Sequence, residues 1–318
     1  MRRALRGVLV PVSALAILLV QATPSFAVNP VPTIVRDSPT VDEFSPVATG
    51  LHLAWDQNSS GSPNHYDVYA QPRDKSTGPW KVNGPGTSGW TPSAIPGTET
   101  IIYQQSTNSV SDLYLYRLST KIRSKLPSKV DSPAWEYNGV ASTSFIAFMR
   151  LTSTARQLLL YNRTSGKVTT VASIKKACGS CLYPDWVGAT HMLFVQCAPR
   201  SFVCQSKLWT KGGTIQTIPN PGGPRFTQYG PSMDEASGDV YYVHTTTFCG
   251  LFVEIRRANI SNLSAFVTIY EFDEGIDGGR TSLAPDVAIP SDTDLLFDEW
   301  DCLQSDSGIY EIDSVNTL

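Results

Sequence analysis

The chain has 318 residues, of which 17% are charged and 41% are hydrophobic, and its formal net charge is −3 at neutral pH. Because nucleic-acid binding depends on clustered Lys and Arg, this mildly acidic chain without a basic tract is a poor candidate for that function. The length and the hydrophobic fraction are sufficient for a folded domain with a large core.

The first 27 residues are typical of an export signal. Arg2, Arg3 and Arg6 form a basic start, residues 8–20 are mostly apolar, and Ser25-Phe26-Ala27 has the small-x-small pattern of a cleavage site. The apolar stretch is short and interrupted for a membrane span. We therefore predict a signal peptide over residues 1–27 and a secreted mature chain, extracellular or in the cell-envelope space, with no membrane span. An uncleaved anchor is the alternative.

A proline preceded by a small or aromatic residue recurs along the mature chain at intervals of 46, 41, 51, 47 and 54 residues. Each of these prolines is followed by a turn, an apolar run and a second run that often contains tyrosine. Periods of 40–50 residues that are built from short strands are typical of a β-propeller. The six prolines are Pro46, Pro92, Pro133, Pro184, Pro231 and Pro285.

The third repeat shows the strands of one predicted blade. An innermost strand follows Pro133, and further strands are expected over residues 145–151, 157–161 and 167–172. The sixth repeat ends after its third strand, so we expect Pro32 to Arg36 to supply the fourth. The sequence thus predicts an all-β fold: residues 28–318 form a single six-bladed β-propeller of four-stranded antiparallel blades, closed by the N-terminal strand.

Six cysteines in an exported chain predict three disulfides. Fifteen pairings are possible, and the preferred one joins neighbours in the sequence or in adjacent blades. Its bonds are Cys178–Cys181, Cys197–Cys204 and Cys249–Cys302. A zinc or redox role for the Cys-x-x-Cys pair lacks a second ligand pair or a strand-to-helix context.

An acidic segment in a predicted inter-blade loop contains Asp273, Glu274 and Asp277 beside three glycines. Carboxylates on a glycine-rich turn can hold calcium, although this spacing fits no EF-hand. A solvated acidic loop is the simpler interpretation. Calcium is therefore the one cofactor left open, and the sequence predicts no other.

The motifs of the repeats are clearest in repeat three. They are Asp131-Ser132-Pro133-Ala134-Trp135, the turn Asn138-Gly139, and the strands Phe145-Ile146-Ala147-Phe148-Met149 and Leu159-Leu160-Tyr161. With these motifs the chain resembles the TolB-like six-bladed propellers of the wider WD40-like group, from about Pro32 to Asn316. The helix-containing domain that accompanies the propeller in TolB itself is missing, so its role in the envelope is not carried over.

The acidic residue that this family tends to carry after the proline survives at Asp185 and Asp286. Both are expected near the mouth of the axial channel, with Trp135 and Trp186 close by in sequence. Carboxylates beside aromatic rings can bind a sugar or a basic peptide, whereas packing between blades explains the tryptophans equally well. These four residues are the predicted ligand site.

We expect a secreted, monomeric binding or scaffolding propeller that engages an extracellular or envelope protein, peptide or glycan. The expected surface is the face that carries the inter-blade loops, the second-to-third-strand loops and the cysteines, because disulfides limit the freedom of loops. The alternative is a metal-assisted enzyme acting on extracellular polysaccharide, as in lyases built on related propellers. Those lyases use clustered histidines, which this sequence lacks, so no catalytic residue is predicted.

Overall fold

The computed structural model describes residues 30–38, 41–59, 62–107, 110–176, 181–198, 203–221, 223, 226–246, 253–272, 276–285, 293–301 and 306–313. These residues form six four-stranded antiparallel sheets. The predicted six-bladed β-propeller is therefore confirmed. Among the described residues there is no helix that is long and apolar enough to span a membrane.

The strands follow the chain from the innermost to the outermost position of each blade. Blade 1 contains β2 (Glu43–Ala48), β3 (His52–Ser59), β4 (Ser62–Pro72) and β5 (Trp80–Lys81). Blade 2 contains β6 (Ser88–Ala94), β7 (Thr100–Ser106), β8 (Ser111–Arg117) and β9 (Ile122–Lys125). Blade 3 contains β10 (Trp135–Ala141), β11 (Phe145–Leu151), β12 (Ala155–Asn162) and β13 (Val168–Lys175).

The second half of the ring repeats this order. Blade 4 contains β14 (Cys181–Val187), β15 (His191–Cys197), β16 (Cys204–Thr210) and β17 (Ile215–Thr217). Blade 5 contains β18 (Thr227–Asp234), β19 (Asp239–Thr245), β20 (Val253–Asn259) and β21 (Asn262–Glu271). Blade 6 contains β22 (Ile276–Pro285), β23 (Thr293–Asp301) and β24 (Asp306–Ile312), and β1 (Thr33–Asp37) is its outer strand.

The hydrophobic core is divided into clusters that lie between adjacent blades. Six clusters each combine buried side chains from two neighbouring blades, including the pair formed by blades 6 and 1. Between blades 2 and 3, for example, Ile102 packs with Phe148, and both are fully buried. The apolar runs of the second strands supply these side chains because both faces of a blade are covered by its neighbours.

Each innermost strand carries a β-bulge near its middle. A bulge adds a residue and bends the strand. Four bulges contain a residue with positive φ: Ser45 (52°), Thr91 (47°), Asn138 (46°) and Gly230 (49°). These innermost strands therefore change direction at the level where the blades approach the axis.

The repeat prolines lie inside the innermost strands of five blades, whereas β10 follows Pro133 as predicted. An innermost strand has one edge that faces the axial channel and makes no sheet hydrogen bonds. A residue without a backbone N–H is tolerated at such an edge. This position explains why proline marks the repeat.

Blade 6 is closed by the N-terminal strand, as the sequence predicts. β1 pairs with β24 from Thr33 opposite Glu311 to Asp37 opposite Gly308. Arg36 reaches from β1 into blade 1, where its guanidinium lies 4.7 Å from the centre of the Trp55 ring. Its Nε is 3.1 Å from Oε1 of Glu43, whose side chain is fully buried. The closing strand thus binds blades 6 and 1 together.

Replacing Arg36 with Ala should destabilise the protein by about 2–3 kcal/mol, because it leaves the buried Glu43 carboxylate without its cation. Burial raises the pKa of Glu43 to about 7, and Arg36 opposes this shift. The loss should therefore be larger at about pH 8 than at about pH 5, where Glu43 binds a proton instead.

Urea unfolding measures this loss, and Lys125→Ala is the control. Lys125 is 69% exposed and lies 3.5 Å from Asp131, so its removal should cost at most about 0.5 kcal/mol. Equal losses in the two variants would contradict the closing role of Arg36.

Candidate functional site

A cavity of about 770 Å³ lies on the propeller axis and is lined by residues from all six blades. Its walls are the ends of the innermost strands and the turns that join them to the second strands, such as residues 47–50 and 93–99. The cavity therefore opens on the face opposite to the inter-blade loops. The loop-rich face that we expected to be functional is not the face with this cavity.

Two glutamates fix neighbouring turns at the rim. Glu99 of blade 2 reaches the first turn of blade 1, where its Oε2 accepts a hydrogen bond from Oγ1 of Thr49 (2.6 Å) and lies 2.7 Å from Nδ1 of His52. Glu235 of blade 5 accepts hydrogen bonds from the backbone N–H groups of Ala189 (2.7 Å) and Thr190 (2.8 Å) in blade 4. Both turns are thus held by a carboxylate of the following blade.

The floor of the cavity is the side chain of Arg280, which extends from the bulge of β22 across the axis. Its Nη2 donates to the backbone oxygen of Asp185 in blade 4 (3.0 Å), and its Nη1 donates to that of Pro92 in blade 2 (3.5 Å). Its Nε lies 3.8 Å from Oδ1 of Asp185. One guanidinium therefore connects three alternate blades.

Two further carboxylates lie beside this guanidinium. Asp298 in β23 accepts a hydrogen bond from the backbone N–H of Arg280 (2.7 Å), and Asp56 in β3 interacts electrostatically with both residues. Burial raises the pKa of Asp56 to about 7 and that of Asp298 to about 6. Burial likewise raises the pKa of Asp185 to about 7, against the effect of Arg280. We call Asp56, Asp185, Asp298 and Arg280 the axial cluster.

Side chains of the second strands also hold the bulges of the next blade. Asp298 of blade 6 accepts the backbone N–H of Ser45, and Asp56 of blade 1 accepts that of Thr91. Gln104 of blade 2 does the same for Asn138, at 3.3 Å. All three donors have positive φ. Two of the three acids of the axial cluster, Asp56 and Asp298, therefore hold the backbone of a bulge in addition to their charge.

The predicted ligand residues separate in the structure. Asp185 is in the floor of the cavity and Trp186 is in its wall. Trp135 lies at the start of β10, towards the opposite face, and is 43% exposed. Asp286 lies outside the described residues. The two tryptophans were included because they are close in sequence to the repeat prolines, and this proximity does not fix the level of a residue along the axis.

Arg280 was not predicted, although the sequence carries a signal for it. It is the one base among thirteen acids from residue 271 to residue 318. A lone arginine in an acidic segment is a candidate for a buried partner of carboxylates.

The structure contains the predicted Cys197–Cys204 disulfide, which joins neighbouring positions of β15 and β16. Cys181 is a half-buried free thiol, and its predicted partner Cys178 lies outside the described residues, so this pairing is not confirmed. Cys249 and Cys302 also lie outside, and their bond stays a prediction.

The predicted calcium loop lies largely outside the described residues, since Asp273 and Glu274 are not described and Asp277 is described in its backbone alone. Among the described acids, the one group that brings three oxygens within 4.8 Å of one another is Asp294, Glu311 and Asp313. Arg73 already lies 3.0 Å from Oδ2 of Asp294 and 2.7 Å from Oε1 of Glu311. The chain's own guanidinium thus compensates this group and links blade 1 to blade 6.

Each of the four histidines lies beside a carboxylate of its own or the next blade: His52 beside Glu99, His65 beside Asp67, His191 beside Glu235 and His244 beside Glu254. Two of these carboxylates are the rim glutamates that hold turns. The contacts favour structural roles for the histidines.

Comparison with known proteins supports the fold and no more. No protein-family model matches the chain, and no curated protein matches its sequence. TolB from Acinetobacter baumannii superimposes with a TM-score of 0.57 at 14% identity, over 82% of this chain and 64% of TolB. The chain therefore spans less than two thirds of that protein. At this identity the similarity shows a TolB-like six-bladed propeller fold, as the sequence motifs suggested.

Two other structures agree on the architecture. The β-propeller domain of the Trilobed protease from Pyrococcus furiosus has a TM-score of 0.52 at 9% identity, over 86% of this chain and 97% of that domain. That domain has an open velcro topology, whereas β1 closes blade 6 here. The Trypanosoma rangeli sialidase has a TM-score of 0.53 at 8% identity, over 86% of this chain and 55% of the sialidase. Propellers with different functions share this fold.

The stability of the protein should decrease as the pH rises from about 5 to about 8. Unfolded aspartates have pKa values of about 4, so in this interval the folded axial cluster binds more protons than the unfolded chain. The contribution of the cluster to the free energy of unfolding is complete below the pKa values of the unfolded chain. It is lost as the pH rises through the pKa values of the folded protein, which are about 7 for Asp56 and about 6 for Asp298.

In Asp56→Asn the free energy of unfolding should decrease less steeply with pH, by up to about 1.4 kcal/mol per pH unit. The free energy of unfolding, measured in urea across the interval, gives the slope. Asp74→Asn is the control, since Asp74 is exposed. An Asp56→Asn slope equal to that of the control would contradict the assignment.

Replacing Gly279 with Ala should displace Asp298 from the axial cluster. A Cβ atom at this position would lie 1.8 Å from Oδ2 of Asp298 and 2.5 Å from its Cγ. We expect a loss of about 2 kcal/mol in the free energy of unfolding, because the buried carboxylate has to move. Gly78→Ala is the control, as nothing lies within 4 Å of its added Cβ, and it should change stability by less than about 0.5 kcal/mol.

Proposed function

We propose that the chain is an exported, monomeric binding propeller that takes part of a protein, peptide or cell-envelope glycan into the axial cavity. The observation that carries this proposal is the cavity of about 770 Å³, which lies within the range of ligand pockets, about 300–1,000 Å³. Its walls combine apolar side chains such as Ile95 and Leu283 with polar ones such as Ser93, Ser142 and Thr293.

The rim supports binding because it is already ordered. Glu99 and Glu235 hold the turns of blades 1 and 4, and Oγ of Ser142 in blade 3 donates to the backbone oxygen of Gly188 in blade 4 (3.1 Å). A rim whose turns are fixed loses little conformational entropy when a ligand enters. A folded, disulfide-containing chain with a predicted signal peptide is consistent with action outside the cytoplasm.

Binding has more support than the alternative, a metal-assisted enzyme acting on polysaccharide. The described histidines lie in carboxylate pairs that hold the blades, and the described acidic group beside β23 is compensated by Arg73. The cavity therefore offers shape and charge, and no histidine, lysine or cysteine is among the described residues that line it.

The axial cavity can be tested against the loop-rich face with one pair of variants. Thr143 is exposed on the cavity rim in blade 3, and Thr169 is exposed on β13, the outer strand of the same blade. Thr143→Trp should obstruct the cavity, whereas Thr169→Trp adds the same ring elsewhere.

Peptide and envelope-glycan libraries would be screened with the wild-type protein, and affinities for the selected ligands measured by calorimetry. We expect Thr143→Trp to weaken binding at least about tenfold and Thr169→Trp to leave it unchanged. Ligands that bind all three proteins equally would place the binding site outside the axial cavity, and a screen that yields no ligand for correctly folded protein would contradict a binding role.

A further inference from the structure

The described residues that line the axial cavity carry an excess of negative charge. The described lining contains one base, Arg280, and four acids: Glu99, Asp185, Asp234 and Glu235. A concave site with low-dielectric walls concentrates the field of such charges, so it favours ligands of the opposite sign. This excess makes a cationic ligand group the natural complement of the cavity.

Three of the four acids have hydrogen bonds that stabilise the rim. Glu99 binds Thr49 and His52, Glu235 binds the turn of blade 4, and Asp234 accepts the backbone N–H of Ala236 at 3.0 Å. Asp185 differs, because its Oδ2 is buried and has no hydrogen-bond partner among the described residues. Its side chain is 12% exposed and belongs to the cavity floor.

The axial cluster, to which this floor belongs, is also short of positive charge. It contains three carboxylates, on Asp56, Asp185 and Asp298, and one guanidinium, on Arg280. With all groups ionised it carries two more negative than positive charges. Buried charges require a compensating partner, which is either a bound proton or another cation.

We propose that the floor of the axial cavity is a subsite for one cationic group of a ligand, an ammonium or guanidinium, which donates its N–H groups to the carboxylate of Asp185. The inference rests on the proposed function and specifies its ligand: a lysine or arginine side chain, or the amino end of a peptide, enters the cavity first. Glu235 and Asp234 in the wall add to the attraction.

The arrangement of oxygens favours an organic cation over a metal ion. Calcium requires six to eight oxygen ligands at a short distance. Asp56, Asp185 and Asp298 do not bring their oxygens within 4.8 Å of one another, unlike the separate group of Asp294, Glu311 and Asp313. A single carboxylate that is incompletely hydrogen-bonded and partly exposed at the end of a cavity suits a group that carries its own hydrogen-bond donors.

The same geometry predicts that binding is linked to a proton. The titratable groups around Asp185 come from four blades. Arg280 of β22 lies beside it, with Asp56 and Asp298 near the same guanidinium. Tyr183 is on the same strand, β14, and Asp234 and Glu235 line the same cavity. Because burial raises the pKa of Asp185 to about 7, a cation that binds near neutral pH displaces a proton from this carboxyl group. Its affinity therefore falls as the pH decreases below this value.

The test uses acetylated, amidated tetralysine as the probe, with tetraglutamine and tetraglutamate as neutral and acidic counterparts, in calorimetry at physiological salt. We expect wild-type protein to bind tetralysine in preference to both. Asp185→Asn should lower the affinity for tetralysine at least about tenfold. Asp234→Asn changes a wall acid of the same cavity and should lower this affinity less than about threefold. The wild-type affinity should fall at least about tenfold from about pH 8 to about pH 5.5, while that of Asp185→Asn stays nearly constant.

Thermal unfolding of both variants serves as the folding control. Asp185→Asn keeps the size of the side chain and removes a buried charge, so it should unfold at least as late as the wild type at about pH 8. The inference is overturned if tetralysine does not bind at millimolar concentration, if the three probes bind alike, or if Asp185→Asn binds as well as Asp234→Asn. Tetralysine binding that Thr143→Trp blocks but Asp185→Asn does not would preserve the proposed cavity and reject the cationic subsite.

Discussion

The contacts of Arg280 are the interaction on which the cavity depends. Its guanidinium crosses the axis from blade 6, binds the backbone of blades 2 and 4, and forms the floor on which a ligand would rest. Its own backbone N–H is held by Asp298, and Gly279 leaves the space that this carboxylate needs. Burying one cation with three acids is electrostatically expensive, and such groups are retained where they fix a geometry or bind a partner. The first reason applies at this position, and the second is the basis of the proposed cationic subsite.

The ring around this floor is stabilised differently. Six apolar clusters lie between adjacent blades, so both faces of every blade are buried only when the ring is complete. β1 completes it by pairing with β24, and Arg36 extends that pairing to Trp55 and Glu43 of blade 1. On the cavity side, Glu99 and Glu235 connect successive turns. A rigid apolar ring therefore supports a small polar site, which is how a repeated fold acquires a single binding position.

The fold was predictable from the sequence, and the site was predictable in part. The spacing of prolines such as Pro46 and Pro92 fixes the size of the repeat, and the incomplete last repeat indicates the role of β1. Asp185 was identified because it follows a repeat proline, and the structure places it in the cavity. Trp135 was grouped with it, but lies towards the opposite face, because Pro133 precedes β10 whereas Pro184 lies within β14. The expected functional face followed from the cysteine-containing loops, whereas the cavity follows from the short turns on the other side.

The sequence by itself determined the number of blades and the closing strand, because both depend on the spacing of the repeats. It favoured the Cys197–Cys204 bond among fifteen possible pairings, because these cysteines are neighbours in one repeat. The tertiary structure alone decided that Asp56, Asp185, Asp298 and Arg280 meet at the axis. Closure of a ring brings the bulges of its innermost strands together whatever their separation along the chain. The charge balance of that meeting point, and hence the ligand it favours, is a property of the closed ring and of no single repeat.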